Sequence, residues 1–166
     1  MNDVRTSSVR LGGLHRGHRG RIQEILDATQ AFRDEEIAVA LELFDESCRP
    51  GAGVASYEFI GAFAREGELA GYACYGATPG TDRTYDLYWI AVHPDHQGSG
   101  AGSRLLDEVE RRLGDREARM LVVETSSRLD YDATRRFYER RGYGICAQVH
   151  DFYAVGDDRV IYAKRL

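Results

Sequence analysis

The chain has 166 residues, of which 43% are hydrophobic and 30% charged, and this balance predicts a single globular domain over residues 1–166. With 22 lysines and arginines against 27 aspartates and glutamates, the formal net charge of −5 argues against a nucleic-acid partner bound by a global positive field. No apolar run approaches the roughly 18 residues that a membrane span requires, and the first residues lack the apolar core of a signal peptide, so we expect a cytoplasmic protein with no membrane partner.

The N-terminal half changes its hydrophobic period once, from helical to alternating. Ile22, Ile25 and Leu26 lie at helical spacing, and Asp34 is a predicted N-cap before an apolar face of period 3.6. Pro50 ends that second helix. The predicted elements are a strand at 8–14, a loop at 15–20, helices at 22–32 and 34–48, and strands at 57–63 and 69–75.

The C-terminal half alternates strands with helices. A β-branched and aromatic run at 85–92 is typical of a central strand, and a glycine-rich segment then opens an amphipathic helix. The remaining predicted elements are a strand at 120–123, a helix at 131–141, and strands at 143–150 and 160–164. The whole order, β-α-α-β-β-β-α-β-α-β-β, predicts an α/β fold with a mixed sheet of about seven strands and helices on its faces.

A glycine-rich turn from Gln97 to Gly102 is the strongest local signal. It follows a strand and opens a helix, where free backbone amides attract phosphate oxygens. A P-loop requires lysine after its last glycine, and this chain has Ser103-Arg104 instead. A Rossmann fingerprint requires a third glycine where Ser103 stands, and it follows the first strand of the fold. Neither motif therefore describes this loop.

The pattern Gln97-x-x-Gly100-x-Gly102 resembles the pyrophosphate loop of the GNAT superfamily of acyl-CoA-dependent N-acetyltransferases. Residues 89–106 are similar to that family's central strand, loop and helix, and residues 123–143 to its second signature. The resemblance implies that two parallel strands, 88–92 and 120–124, splay apart, and that the pantetheine arm of acetyl-CoA lies in the gap. It does not extend to the acceptor-binding N-terminal half, which agrees only in the order of its elements.

The resemblance also implies which residues bind the acyl donor. Backbone groups of one strand would pair with the pantetheine amide, and the glycine loop and the helix start would hold the pyrophosphate. The residues implied are Ile90, Ala91, Val92, Gln97, Gly98, Ser99, Gly100, Ala101, Gly102, Ser103 and Arg104.

Tyr138 occupies the position of the family's general acid, which protonates the leaving thiolate. A phenol with a pKa of ~10 is protonated at neutral pH and can donate; the alternative is an aromatic that only packs against the sheet. Glu124, at the end of its strand, is the first candidate for the base, and Asp86 is the second. Either carboxylate can also be an ordinary solvated residue, with water relays in place of a dedicated base.

Three further clusters leave alternatives open. The basic stretch 15–21 is a solvated loop or a contact for an acidic group of the acceptor, and segment 151–158 is a polar hairpin loop or an acidic entrance for a cationic amine. His93 and His96 lack a third ligand, so no metal is expected. The three cysteines have no CxxC spacing and are expected to be reduced thiols without a catalytic role.

The leading interpretation is an N-acetyltransferase in which a primary amine attacks acetyl-CoA directly in a ternary complex. A non-catalytic acyl-CoA sensor of the same fold is the alternative, and a nucleotide-binding regulatory domain is less favoured because the lysine and the ribose acid are absent. Small amines, amino acids, aminoglycoside-like antibiotics and protein amines all remain candidate acceptors. Exposed strand edges are compatible with a homodimer.

Overall fold

The structure, a computed structural model, describes residues 9–51 and 57–166. In these ranges it contains four α-helices and seven β-strands in the predicted order, which confirms the α/β fold class. The strands are β1 (Arg10–Gly12), β2 (Glu58–Phe63), β3 (Leu69–Ala77), β4 (Thr84–Val92), β5 (Met120–Ser126), β6 (Gly144–Ala154) and β7 (Asp157–Arg165). The helices are α1 (Arg19–Thr29), α2 (Asp34–Ser47), α3 (Ala101–Gly114) and α4 (Asp132–Arg140).

The described strands form one mixed sheet in the order β1-β2-β3-β4-β5-β7-β6. Strands β4 and β5 run parallel, paired from Thr84 with Met120 to Leu87 with Val123. The pairs β1–β2, β2–β3, β5–β7 and β6–β7 are antiparallel. The parallel ladder covers the first half of both strands, and the predicted splay of their second halves stays a prediction.

The chain packs as two compact units. The described residues of the first lie in the ranges 9–51, 57–75 and 89–109, and its described core includes the fully buried Ile22, Ile25 and Leu26 of α1 and Phe44 of α2. The second comprises residues 76–88 and 110–166, where α4 lays the Tyr138 ring 6.4 Å from that of Tyr162 in β7. The single domain over 1–166 stays a prediction.

Helix α1 begins earlier than predicted, and α2 has a different N-cap. Helix α1 starts at Arg19, and a 3-10 turn at Arg16–His18 precedes it, so the predicted loop at 15–20 is wrong. The cause is histidine capping, because His15 Nδ1 accepts from the Gly17 N–H (3.1 Å) and His18 Nδ1 from the His15 N–H (3.0 Å). Asp34 is the first residue of α2 and not its N-cap, since the Glu36 carboxylate accepts the Arg33 N–H (2.8 Å).

The strand ends also differ from the predictions. The predicted strand 8–14 is reduced to Arg10–Gly12, and Ser8 lies outside the described residues. Strand β5 continues to Ser126, so Glu124 lies inside the strand and not at its end. The predicted loop 151–158 is wrong, because Ala154 pairs with Asp157 and leaves only a tight turn, where Gly156 has φ +81°.

Gly71 sets the approach of β3 to β4 in the first unit. A Cβ built at Gly71 would lie 2.6 Å from the Ala91 carbonyl oxygen and 3.1 Å from the Val92 α-carbon. These atoms are backbone and cannot rotate away, so a side chain at this position forces the strands apart.

We expect Gly71→Ala to lower the free energy of unfolding by about 1–3 kcal/mol, the usual cost of overpacking. Urea denaturation monitored by circular dichroism measures the change. Gly114→Ala is the matched control, because a Cβ there meets no atom within 4 Å and alanine favours the helix. Equal stabilities of the two variants would contradict the close approach at Gly71.

Candidate active site

The glycine loop between β4 and α3 requires glycine because of its backbone conformation. Gly98 and Gly100 have φ values of +75° and +84°, in the left-handed region that L side chains rarely adopt. A Cβ at either position would meet no atom within 4 Å. Conformation and not lack of space therefore selects glycine here.

The loop presents backbone donors at the start of α3. Within the described chain, the amides of Gly98, Gly100, Gly102 and Ser103 donate to no protein acceptor, and the first helical bond of this end runs from the Arg104 N–H to the Gly100 oxygen (3.0 Å). The first turn of α3 contains no acidic residue. Free amides and the positive end of the helix dipole together make a site suited to an anion.

Side chains around the loop hold its shape. The Gln97 amide nitrogen donates to the Val92 oxygen (3.3 Å), and the Ala101 N–H donates weakly to Ser99 Oγ (3.4 Å). The Arg104 guanidinium donates to the Val9 carbonyl. Gln97, Ser99 and Arg104 thus all have structural bonds, and their predicted contacts with a pyrophosphate stay predictions.

The end of β4 is fixed from the β3 side. The His93 N–H donates to the Ala70 oxygen (2.8 Å), and Ala91 is buried where Gly71 approaches it. Ile90 and Val92 are half-buried. All eleven residues implied to bind the donor lie on β4, the glycine loop and the first turn of α3, in the first unit.

Tyr138, the predicted acid, is packed inside the second unit. Its side chain is only 3% exposed, and its ring lies 5.3 Å from that of Phe137 and 5.5 Å from that of Tyr143. Its hydroxyl donates to no protein acceptor within the described residues. Burial raises the pKa of Tyr138 above its ordinary value, so the phenol is protonated throughout the neutral range.

Glu124, the first candidate for the base, is held by Tyr153, from the segment 151–158, and by Arg159, which the sequence did not single out. Tyr153 OH donates to Glu124 Oε1, and the Arg159 guanidinium pairs with Oε2 at 2.5 Å. The same guanidinium lies 5.0 Å from the centre of the Phe152 ring. Each carboxylate oxygen has a second lone pair, and the side chain is 42% exposed, so Glu124 can still accept a proton or a water.

Asp86, the second candidate, has a structural partner. Thr78 Oγ1 donates to Asp86 Oδ2 at 2.6 Å, which ties β4 to the turn after β3. This contact favours a positioning role for the Asp86 carboxylate.

The acid candidate packs over one face of the sheet, and both base candidates project from the other face. Val123 pairs with Tyr162, against which Tyr138 packs, whereas Glu124 pairs with Ile161, one residue along. Asp86 pairs with Val122, which shares a face with Glu124 because side chains alternate along a strand. Acid and base can therefore act on the same atoms only where the sheet is open.

The carboxylates of segment 151–158 accept hydrogen bonds mostly from groups of the protein itself. Asp151 accepts from the Gly156 N–H (2.6 Å), Asp157 from Ser126 Oγ, and Asp158 from the Asp151 N–H (2.9 Å) and the Gln148 amide (2.7 Å). Hydrogen bonding lowers the pKa of Asp158 below its ordinary value. These carboxylates stabilise the turn, so the geometry gives little support to an entrance for cations.

The His, Cys, Asp and Glu side chains of residues 9–51 and 57–166 form no group of three or more that could hold a metal ion. No helix in these two ranges is long and apolar enough to span a membrane. All three cysteines are free thiols, and burial raises the pKa of Cys74.

The sequence and the fold are similar to those of known acetyltransferases. The model of the acetyltransferase (GNAT) family matches residues 21–143. A candidate GNAT acetyltransferase from Desulfovibrio desulfuricans is 42% identical, with a TM-score of 0.86, 95% of this chain and 98% of that chain being covered. No curated protein matches the sequence.

Two more distant solved structures share the fold. The ribosomal-protein-S18-alanine N-acetyltransferase of Escherichia coli is 20% identical, with a TM-score of 0.75 and coverage of 95% of this chain and 94% of that chain. The PaiA N-acetyltransferase of Thermoplasma acidophilum, solved with coenzyme A, is 17% identical, with a TM-score of 0.72 and coverage of 96% and 99%.

Proposed function

The chain belongs to the acetyltransferase (GNAT) family of acyl-CoA-dependent enzymes, and from this premise we propose that it transfers an acetyl group from acetyl-CoA to a primary amine by direct attack in a ternary complex. The observation that carries the proposal is the glycine loop with its left-handed Gly98 and Gly100, since the backbone amides at the start of α3 have no acceptor among the described residues. A sequence motif at a helix start becomes a donor site only if those amides lack internal partners.

The donor set fits a pyrophosphate. The amides of Gly98, Gly100, Gly102 and Ser103 would hold its oxygens, and backbone groups of Ile90, Ala91 and Val92 would hold the pantetheine arm. Bound acetyl-CoA supplies the acetyl group as a thioester. No protein nucleophile is required, in line with a buried Cys74 thiol whose raised pKa keeps it neutral.

Two side chains of the second unit would move protons. The Glu124 carboxylate takes a proton from the amine, directly or through a water, and the Tyr138 phenol donates one to the departing sulfur. Tyr153 and Arg159 fix the position of the Glu124 carboxylate. Because Tyr138 and Glu124 lie on opposite faces, both would reach one bound acetyl-CoA only if the sheet opens beside the second half of β5.

The test is release of free thiol from acetyl-CoA across a panel of amino acids, polyamines, aminoglycosides and peptides with free N-termini. Peptides that begin with alanine belong in the panel because of the fold shared with the S18-alanine enzyme. Amine-dependent thiol release with an acetylated product supports the proposal. Tight binding of acetyl-CoA without any product across the panel would instead indicate the sensor alternative.

Gly100→Ala is expected to raise the Kd for CoA by about tenfold. An alanine in the left-handed conformation costs about 1–2 kcal/mol, and the loop relieves this strain by moving its backbone amides away from the pyrophosphate. Isothermal titration calorimetry measures this change. Gly80→Ala is the matched control, since Gly80 has φ +73° and an equally open Cβ site but lies in the turn before β4. If both variants bind CoA like the wild type, the loop is not the pyrophosphate site.

A further inference from the structure

A pocket in the first unit lies apart from the glycine loop in the sequence. It has a volume of about 390 Å³ and lies between the segment after β1, the end of α2 and the start of β2. Leu14, Phe44, Tyr57 and Phe59 supply its apolar and aromatic lining. Pockets that bind small molecules have volumes of about 300–1,000 Å³ and linings of this kind.

The aromatic wall of this pocket is held by its neighbours. The Phe44 and Phe59 rings meet edge to face with centroids 5.2 Å apart, and Phe59 stacks on Tyr72 at 6.2 Å. A rigid aromatic wall offers a planar group a preformed contact surface at little cost in ordering.

The rim of the pocket carries hydrogen-bond donors. Arg16 lines it and is exposed, and its side chain makes no ion pair or hydrogen bond with any described residue, whereas the Arg19 side chain is paired with Asp45 at 2.9 Å. His15 also lines it, and its Nδ1 accepts from the Gly17 N–H, so the proton of the neutral ring is on Nε2. Both side chains therefore offer donors to a ligand.

The charges select one class of ligand. An aromatic pocket can also hold a cation through its ring faces, but the positive charge of the Arg16 guanidinium, which no described carboxylate neutralises, opposes that arrangement. None of the described side chains that line the pocket is a carboxylate that would attract an amine. A carboxylate only accepts hydrogen bonds and therefore matches the donors that Arg16 and His15 place at the rim.

We propose that this pocket binds a planar aromatic group that carries a carboxylate. Such a molecule can be the amine acceptor itself, as an aromatic amino acid would be, or an effector that is not acetylated. The acceptor form of the inference rests on the proposed acetyl transfer. The binding of the aromatic carboxylate does not, so each can fail without the other.

The experiment measures binding to the full chain by calorimetry with three probes of similar size. These are 3-phenylpropionate, its neutral amide and the cation phenethylamine. We expect 3-phenylpropionate to bind at least tenfold more tightly than either of the others. Arg16→Gln should weaken its binding by about fivefold or more, and Arg16→Lys should restore part of it.

Arg65→Gln is the matched control, an exposed arginine in the turn between β2 and β3 that loses the same charge. It should bind 3-phenylpropionate like the wild type. Absence of binding at millimolar probe, equal binding of all three probes, or equal loss in both arginine variants would each overturn the proposal.

A second arm separates acceptor from effector. Thiol release is measured with phenylalanine as the amine and 3-phenylpropionate as an inhibitor. Turnover of phenylalanine with competitive inhibition identifies the pocket as the acceptor site, and binding of 3-phenylpropionate without competition identifies an effector site. Binding of 3-phenylpropionate by a protein that releases no thiol with any amine would leave this site standing while the proposed function fails.

Discussion

Replacing Tyr138 by phenylalanine is expected to lower kcat by about 100-fold or more, the usual loss when a general acid is removed. The variant keeps the ring, which is packed against Phe137, Tyr143 and Tyr162, and removes one oxygen. That oxygen makes no hydrogen bond within the described residues, so its loss leaves no buried partner unsatisfied and folding is unaffected. Steady-state rates with saturating acetyl-CoA and a saturating amine from the active panel give kcat.

Tyr143→Phe is the control for Tyr138→Phe, because it removes a hydroxyl from the same aromatic cluster. The Tyr143 hydroxyl donates to Glu110 at 2.8 Å, so this variant should lose about 1 kcal/mol of unfolding free energy. Its kcat should stay within about twofold of the wild type. An unchanged kcat in Tyr138→Phe would show that the ring serves only to pack α4 on the sheet.

The burial of Tyr138 determines how kcat of the same reaction changes with pH. Because burial raises the pKa of Tyr138, the acid form persists above the ordinary phenol pKa of ~10. We therefore expect no decline of kcat from Tyr138 between pH 7 and 10. A decline with a midpoint well below 10 that disappears in Tyr138→Phe would contradict the raised pKa.

The order of the elements was predictable because the hydrophobic period changes at each boundary. Ile22, Ile25 and Leu26 form one buried helical face, and the run at 85–92 lies within β4. Element ends were less predictable, since they depend on local hydrogen bonds. His15 and His18 bond to backbone N–H groups and make a 3-10 turn out of a segment whose composition indicates a loop.

The geometry of the candidate site was predictable where the backbone conformation requires a particular residue type. Glycines that adopt a positive φ can be recognised in the sequence by their spacing in the loop, and residues such as Tyr138 by the signature to which they belong. The contacts of Arg159 and Tyr153 with Glu124 could not be predicted in this way, because they depend on the pairing of β5 with β7 and of β7 with β6. Arg159 pairs with Ser126, two residues beyond Glu124, and only this register places its guanidinium beside the carboxylate.

Glu124→Gln is expected to lower kcat by about 10- to 100-fold while the Kd for acetyl-CoA stays within about twofold. Glutamine has nearly the same shape, and its oxygen can still accept from Arg159, but it cannot take a proton from the amine. The lost ion pair is partly exposed, at 33% and 42% for the two side chains, so the change in stability should stay below about 1 kcal/mol.

Asp86→Asn and Arg159→Lys show whether the Glu124 carboxylate itself is the base. Asp86 is bonded to Thr78, so we expect Asp86→Asn to retain kcat within about threefold. Arg159→Lys keeps a cation beside Glu124 and should lower kcat less than Glu124→Gln does, because the carboxylate is present but less firmly positioned.

Three other outcomes would contradict Glu124 as the base. A large loss of kcat in Asp86→Asn with none in Glu124→Gln would make Asp86 the base. No loss of kcat in either variant would favour proton transfer through water alone. A base at Glu124 predicts a larger loss of kcat in Glu124→Gln, which removes the carboxylate, than in Arg159→Lys, which keeps it. Equal losses of kcat in the two variants would therefore show that the ion pair, and not a base, is what the reaction needs.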